Sequence, residues 1–353
     1  MAHGAPPEGH TRRSLLTFHC SAYGLRVRSN RTLKGLVPRP ATTPGQVDVD
    51  LTFAGDGSVE PEWQGLSWHP AREMQGENWS LAFLAAPGGD GVRHRLRTRL
   101  GQDETNVYFS PDGARVSLHW SHETPDDEAR LSDLSAWALD AALGFSARLR
   151  GWTVLHAASV VIEGKAVGLV GDKGAGKSTL AAAFLAEGFQ ALADDHTVLR
   201  EEDGAFVVQP GPPVLKLWPS SAPVLAKEVS GLPRAYSFLE KLRVDLGAGA
   251  DGEPGRFHDG PAPLRALYVL GPRDRARTGV TVESLTDAAA LHQLMVYRWS
   301  RHTVTPEHAA AELGAMARLV RTAPVLRVHR PDGIGTLPQV VRAICSDLDE
   351  RPG

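Results

Sequence analysis

The chain has 353 residues, a formal charge of −3 and 42% apolar residues, enough to bury a large core and to form two domains. A balance this close to neutral, with no long basic run, argues against nucleic acid as the main partner, and no apolar stretch reaches the roughly eighteen residues of a membrane span. Two distant cysteines, Cys20 and Cys345, make neither a metal-binding spacing nor a disulfide framework, so a cytoplasmic location is expected.

Near the start, Arg12-Arg13 precedes Ser-Leu-Leu, but His19, Cys20 and Arg26 interrupt the apolar region that an export signal needs. Between residues 17 and 119 short runs alternate, such as Leu25-Arg26-Val27-Arg28 and Arg115-Val116-Ser117-Leu118-His119, broken by Gly, Pro and Asp. This period of two predicts a β-rich N-terminal domain over residues 1–128. A second domain, 129–353, opens with a predicted helix over 131–149 that turns Leu131, Leu134, Trp137, Leu139 and Leu143 toward a core. Strands are expected at 153–162 and 166–170, a helix at 178–187 stopped by Gly188, and a strand at 189–193. Asp203-Gly204 between the apolar runs 197–200 and 205–209 is a hairpin signal. Residues 245–263, rich in Gly, Pro and Asp, read as a mobile loop. Two further helices are expected, 287–297 and 306–321, the second with Thr305 as N-cap, Pro306 at its first position and Glu307 in its first turn.

The segment between the strand at 166–170 and the helix at 178–187 carries the chemistry. It reads Gly171-Asp172-Lys173-Gly174-Ala175-Gly176-Lys177-Ser178-Thr179, a phosphate-binding loop in the context such a loop requires. Glycines let successive N–H groups turn inward on phosphate oxygens, and the helix N-terminus adds partial positive charge. Lys177 reaches the β and γ phosphates, and the hydroxyl of Ser178 is placed for Mg²⁺. The chain therefore uses a nucleotide, ATP with Mg. Arginine outnumbers lysine 31 to 7, yet Lys165, Lys173, Lys177, Lys216, Lys227 and Lys241 all fall within one segment around this loop. Lys177 is required there as a slender point charge, whereas Lys165 and Lys227 read as surface residues. At the end of the next strand stand Asp194 and Asp195, and an acidic pair at the C-terminal edge of a strand beside the loop is where metal and nucleophile meet.

Leu155-His156, the loop and Ala193-Asp194-Asp195 together resemble the catalytic core of the HPr kinase family, P-loop serine kinases related in fold to phosphoenolpyruvate carboxykinase. The resemblance covers residues 153–200. Shorter stretches, Tyr23-Gly24-Leu25, Leu217-Trp218-Pro219 and Lys241-Leu242-Arg243, are similar to HPr kinase-like proteins of peptide-maturation clusters, including those for lasso peptides. It implies an α/β fold with a P-loop kinase core of HPr kinase type and a β-rich N-terminal domain. It also implies Asp194 on the Mg²⁺ side, Asp195 as the base that accepts the hydroxyl proton, and His156 beside that base, where its charge tunes the aspartate or a phosphate. A serine-bearing peptide or small protein is the implied acceptor, and a homo-oligomer is compatible with the family. For His196 the resemblance supplies no counterpart, and a supporting role is expected.

The chain also departs from that family. Where HPr kinases carry Leu-Glu-x-Arg-Gly, this chain reads Leu215-Lys216-Leu217-Trp218-Pro219, so the acidic contact has become Lys216. A cation there suits nucleotide phosphates or an acidic substrate, and it puts phosphorylase activity in doubt. Lys241 and Arg243 either add charge to the transition state or lie on a strand surface. Two other functions stay open at this stage: a nucleotide-binding regulator without phosphotransfer, and a small-molecule kinase.

Overall fold

A computed structural model describes residues 17–351 apart from 34, 37–46, 55–58, 102, 121–132, 134–135, 137, 226–228, 238, 248–254 and 300–305. The expected division near residue 128, the side chains of Leu131, Leu134, Trp137 and Leu139, the Thr305 cap and Lys227 lie outside the described residues or side chains.

Among the described residues the first eight strands form one sheet. They are β1 (Phe18–Ala22), β2 (Leu25–Ser29), β3 (Val49–Ala54), β4 (His69–Gln75), β5 (Trp79–Gly88), β6 (Gly91–Leu100), β7 (Asp103–Phe109) and β8 (Arg115–Trp120). Their order is β1-β2-β3-β8-β7-β6-β5-β4. The alternating patterns act as the period of two requires: Leu25, Val27, Leu51, Val116 and Leu118 are buried, while Arg26 and Arg28 pair outward with Asp48 and Asp50. The buried face packs on α1 (Gly144–Leu149) through Phe145 and Ala147, and on Val154 and Val198 beyond it, so one apolar cluster joins the sheet to the rest of the chain. The helix expected over 131–149 is only partly regular. Ala138–Leu143 winds as a π-helix, and the α-helical part is the short α1.

The remaining strands are β9 (Thr153–Leu155), β10 (Ala157–Ile162), β11 (Lys165–Val170), β12 (Gln190–Ala193), β13 (Thr197–Glu202), β14 (Ala205–Gln209), β15 (Val214–Leu217), β16 (Arg234–Tyr236), β17 (Leu239–Asp245), β18 (Ala262–Asp274), β19 (Thr281–Ser284) and β20 (Val325–Pro331). Between them lie α2 (Lys177–Ala186), α3 (Asp287–Tyr297) and α4 (Pro306–Thr322), and α5 (Leu337–Glu350) ends the fold. The larger second sheet runs β12-β10-β11-β18-β14-β13-β9, with β20 paired to β18 and β19. In it β11, β18 and β20 are parallel, while β12, antiparallel to β10, points the same way as β11. Helices cover both faces. Ala158, Val160 and Ile162 of β10 join a core with α2 and α5, whereas Ala157 and Val161 meet Leu294 of α3 and Leu319 of α4. Burial on both faces explains why β10 and β11 read as nearly unbroken apolar runs.

Two local stops follow from chain chemistry. Gly188, at φ +92°, ends α2: its N–H donates to Leu185 O and that of Phe189 to Phe184 O, while the rings of residues 184 and 189 pack edge to face at 5.6 Å. Asp203 and Gly204 both take positive φ in the β13–β14 turn, the backbone of a two-residue hairpin. The segment expected as a free loop over 245–263 is pinned in part. The Ala191 N–H donates to Arg256 O, and Ala191 O accepts from the His258 N–H, which fastens this stretch along β12. Finally β15, β17 and β16 form a separate antiparallel sheet of three strands, with Lys216 opposite Arg243 and Leu217 opposite Leu242.

Candidate active site

The parallel strands end together, and the glycine-rich loop and the acidic pair leave from that edge, while Lys216 and Lys241 come from the separate three-stranded sheet. After β11 the chain makes the glycine-rich turn 171–176, and Gly176, at φ +94°, caps the start of α2. Lys177 is buried, and its ammonium donates to the carbonyls of Gly171 at 2.8 Å and Asp172 at 3.1 Å, so the lysine lies folded over its own loop. Burial, the largest influence, pulls its pKa below the ordinary lysine range. Two arginines hold the loop from outside. Arg273 at the end of β18 donates to Gly174 O at 3.0 Å, and Arg330 at the end of β20 donates to Ala175 O. Burial, then the neighbouring Arg273, pushes the Arg330 guanidinium down to about 10.

At the end of β12 a tight turn separates the two carboxylates. The His196 N–H donates to Asp194 O at 2.7 Å, and Asp195 sits at φ +62°, uncommon for a residue other than glycine. Asp194 points down into the protein: one oxygen accepts from the Ser178 hydroxyl at 2.7 Å, the other from the Lys216 N–H at 3.0 Å. Asp195 points into the cleft, with Lys216 Nζ at 3.3 Å and Lys241 Nζ at 3.7 Å. Their surroundings drive them apart. Burial and the charge of Asp195 push Asp194 up, whereas burial of Asp195 is outweighed by Lys216 and Lys241, which hold it well below the usual carboxylate range.

His156, between β9 and β10, donates from Nδ1 to the backbone carbonyl of Asp195 at 3.0 Å. Burial, then Lys177, lowers its pKa, so its neutral form is favoured. His196 is buried, with its ring edge-on to Trp299 at 4.9 Å and tilted against Tyr23 at 6.1 Å. The Tyr23-Gly24 turn of the first sheet docks directly beneath, where the Tyr23 N–H donates to Pro210 O.

A cavity of about 830 Å³ joins these groups, with His156, Lys177, Ser178, Asp195, Lys216 and Lys241 in its walls. Lys173, Gly174, Gly176 and Thr179 also line it. Gly171, Asp172 and Ala175 complete the turn behind, and Asp194 lies below the wall, reaching the site through Ser178. The structure does not bring Arg243 into the cavity: its guanidinium pairs with Asp245 at 3.1 Å. Arg273, Arg330, Tyr236 and Trp299 are among the wall residues that escape a reading of the sequence. They approach the loop and the acidic pair only through strand topology and long turns, and no local motif marks them.

The arrangement has defined chemical abilities. A glycine-rich loop at a helix N-terminus, with a lysine and two arginines in the same cavity wall, suits a polyanion. Ser178 Oγ and Asp194 form a hard oxygen pair of the kind Mg²⁺ prefers when water and phosphate complete its shell. Asp195, ionised and open to the cavity, is the one carboxylate of the pair able to meet a second ligand.

No protein-family model matches the chain, and no curated protein does. Among solved structures, the HPr(Ser) kinase/phosphatase from Coxiella burnetii is similar over 56% of this chain and 97% of its own, at 13% identity and a TM-score of 0.26. The mixed α/β architecture and the chemistry of the cleft stand on the residues themselves. Among the described residues, no helix is long and apolar enough to cross a membrane.

Proposed function

We propose that the protein is an ATP- and Mg-dependent kinase of HPr kinase type, transferring the γ-phosphate to a serine hydroxyl of a peptide or small protein. One observation carries this reading: the glycine-rich loop with Lys177, Ser178 and the ionised Asp195 line one cleft, with Asp194 bonded to Ser178 just beneath it. Lys177 exchanges the carbonyls of Gly171 and Asp172 for phosphate oxygens. Ser178 and Asp194 would hold Mg²⁺, which would supply charge neutralisation for the phosphates. The acceptor oxygen bonds to the γ-phosphorus as the bond to the β-γ bridging oxygen breaks; Asp195 takes the hydroxyl proton and ADP leaves. His156 fixes the strained turn of Asp195 through its carbonyl, and Arg273 and Arg330 keep the loop open-handed toward the phosphates.

A second reading has its own observation. Two ammonium groups depress Asp195 below the range useful to a general base near neutrality, and Lys216 stands where HPr kinases have an acid. A nucleotide-binding regulator without transfer fits that fact. Phosphoryl transfer with little bond formation to the nucleophile needs only a weak base, which keeps the kinase reading first. Titration with Mg·ATP, followed by a label-transfer assay with γ-labelled ATP, separates them. The kinase binds and transfers; a regulator binds only.

A further inference from the structure

Among the described residues only six large apolar side chains are exposed, and three of them, Trp218, Leu239 and Ile334, line the one cleft that holds Asp195. Apolar groups gathered in a cleft mark a recognition surface. Leu239 lies on β17 of the small sheet and Trp218 directly follows its β15, so the register of that sheet shows which residues stand with them. Lys216 pairs opposite Arg243 and Leu217 opposite Leu242, where the pairing ends, and Trp218 is the next residue of the chain. Side chains alternate along a strand, so Lys216 on β15 shares a face with Arg243, Lys241 and Leu239 on β17, while Leu217 turns into the core; Lys216, Lys241, Leu239 and Trp218 line the one cleft. Tyr236 lies opposite Leu239, with its hydroxyl 3.0 Å from Lys216 Nζ and its ring under that ammonium.

That face carries the two lysines that meet Asp195, whereas Arg273 and Arg330 hold the glycine-rich loop. Both of its lysines are directed at a single carboxylate. An incoming anion can therefore engage one ammonium and leave Asp195 still paired, which is the condition for adding negative charge to a desolvated site. Trp218 and Leu239, 42% and 36% exposed, flank these charges with apolar surface.

We infer that the cleft face of this three-stranded sheet is the acceptor platform, and that it selects a serine flanked by acidic and bulky apolar side chains. The inference rests on the kinase reading and narrows its substrate class. Acidic neighbours meet Lys241 and Lys216, apolar neighbours meet Trp218 and Leu239, and the serine hydroxyl is left at Asp195.

The test is a positional-scanning serine peptide library, phosphorylated with γ-labelled Mg·ATP by the full-length chain and by Trp218→Ala, Trp218→Phe, Leu239→Ala and Lys241→Met. The wild type should favour Asp or Glu together with Leu, Phe or Trp near the serine. Trp218→Ala and Leu239→Ala should each lower the apolar selectivity about tenfold, the scale of one lost pocket contact, with KM for Mg·ATP unchanged. Trp218→Phe should restore most of it, and Lys241→Met should flatten the acidic preference. Trp218 and Leu239 are exposed, so their replacement should leave the fold intact, and circular dichroism checks this for all four variants. A flat or basic profile overturns the inference. So does a raised KM for Mg·ATP in Trp218→Ala with the peptide profile intact, which would assign Trp218 to the nucleobase. Labelling of small hydroxyl compounds but of no peptide also overturns it, leaving phosphotransfer in place but not the peptide acceptor; absence of Mg·ATP binding by the wild type would instead sink the kinase reading.

Discussion

Asp195 is held by two cations, and replacing it exposes what they contribute. At 3.3 and 3.7 Å, and an effective dielectric of about 20, each ion pair has a gross attraction of about 4 to 5 kcal/mol before desolvation is subtracted. Asp195→Asn leaves Lys216 and Lys241 facing a neutral amide. Stability should then fall by about 3 kcal/mol, the low end for breaking a buried pair, because the cleft admits water. Lys216→Met should cost less, since Lys241 still balances Asp195. The double variant should recover about 1 to 3 kcal/mol of the summed losses, as residues in contact do. Urea denaturation of the four proteins measures this cycle. The sign of the pH dependence is fixed by the direction of the shift. Because Asp195 has a depressed pKa when folded, its contribution is complete above the unfolded value of 3.8 and fades as pH falls below it. The difference between wild type and Asp195→Asn should therefore be flat from pH 5 to 8 and shrink only in strong acid. Strict additivity of the two substitutions, or an Asp195→Asn protein as stable as the wild type, would refute the clamp.

Lys177→Ala should weaken Mg·ATP by about 100-fold or more, as loss of charge-assisted phosphate contacts does, read by calorimetric titration. Arg330→Met should release the loop at Ala175 and weaken the same ligand by about tenfold, with little change in stability beyond about 1 kcal/mol. Gly24→Ala should lower stability by about 1 to 2 kcal/mol in thermal denaturation, because the residue sits at φ +74° and a Cβ would come within 2.4 Å of Gln209 Oε1. His94, stacked on Phe83, is lowered by burial from 6.5 to about 4, so its neutral form supports the fold above 6.5. Stability should fall as pH drops from 6.5 toward 4, by about 3 kcal/mol in total, and His94→Phe should flatten that slope.

Much of the site is legible in the chain because its parts are local. Glycines 171 and 176 with Lys177 and Ser178 form one continuous loop, and Gly188 ends the helix behind it by a backbone device that needs nothing distant. Asp194 and Asp195 are readable as a pair, but the turn that sends one down to Ser178 and the other up to Lys216 is a property of the fold. Arg273 and Arg330 are invisible beforehand, since only the parallel pairing of β11, β18 and β20 brings their strand ends together. Tyr23 is a similar case: a short resemblance draws notice to it, and docking of the first sheet puts it under His196. The helix over 131–149 fails as a regular element from its middle, where a wider π turn replaces the expected period.

The central claim is that Asp195 accepts a hydroxyl proton while the loop holds the nucleotide. Parallel measurement of Mg·ATP affinity and of γ-phosphate transfer to serine peptides, in wild type and Asp195→Asn, tests it most directly. Affinity of the variant should stay within about twofold of wild type, with transfer reduced by about 100- to 10,000-fold. Normal transfer by Asp195→Asn, or tight Mg·ATP binding by a wild type that labels no hydroxyl acceptor, would contradict it.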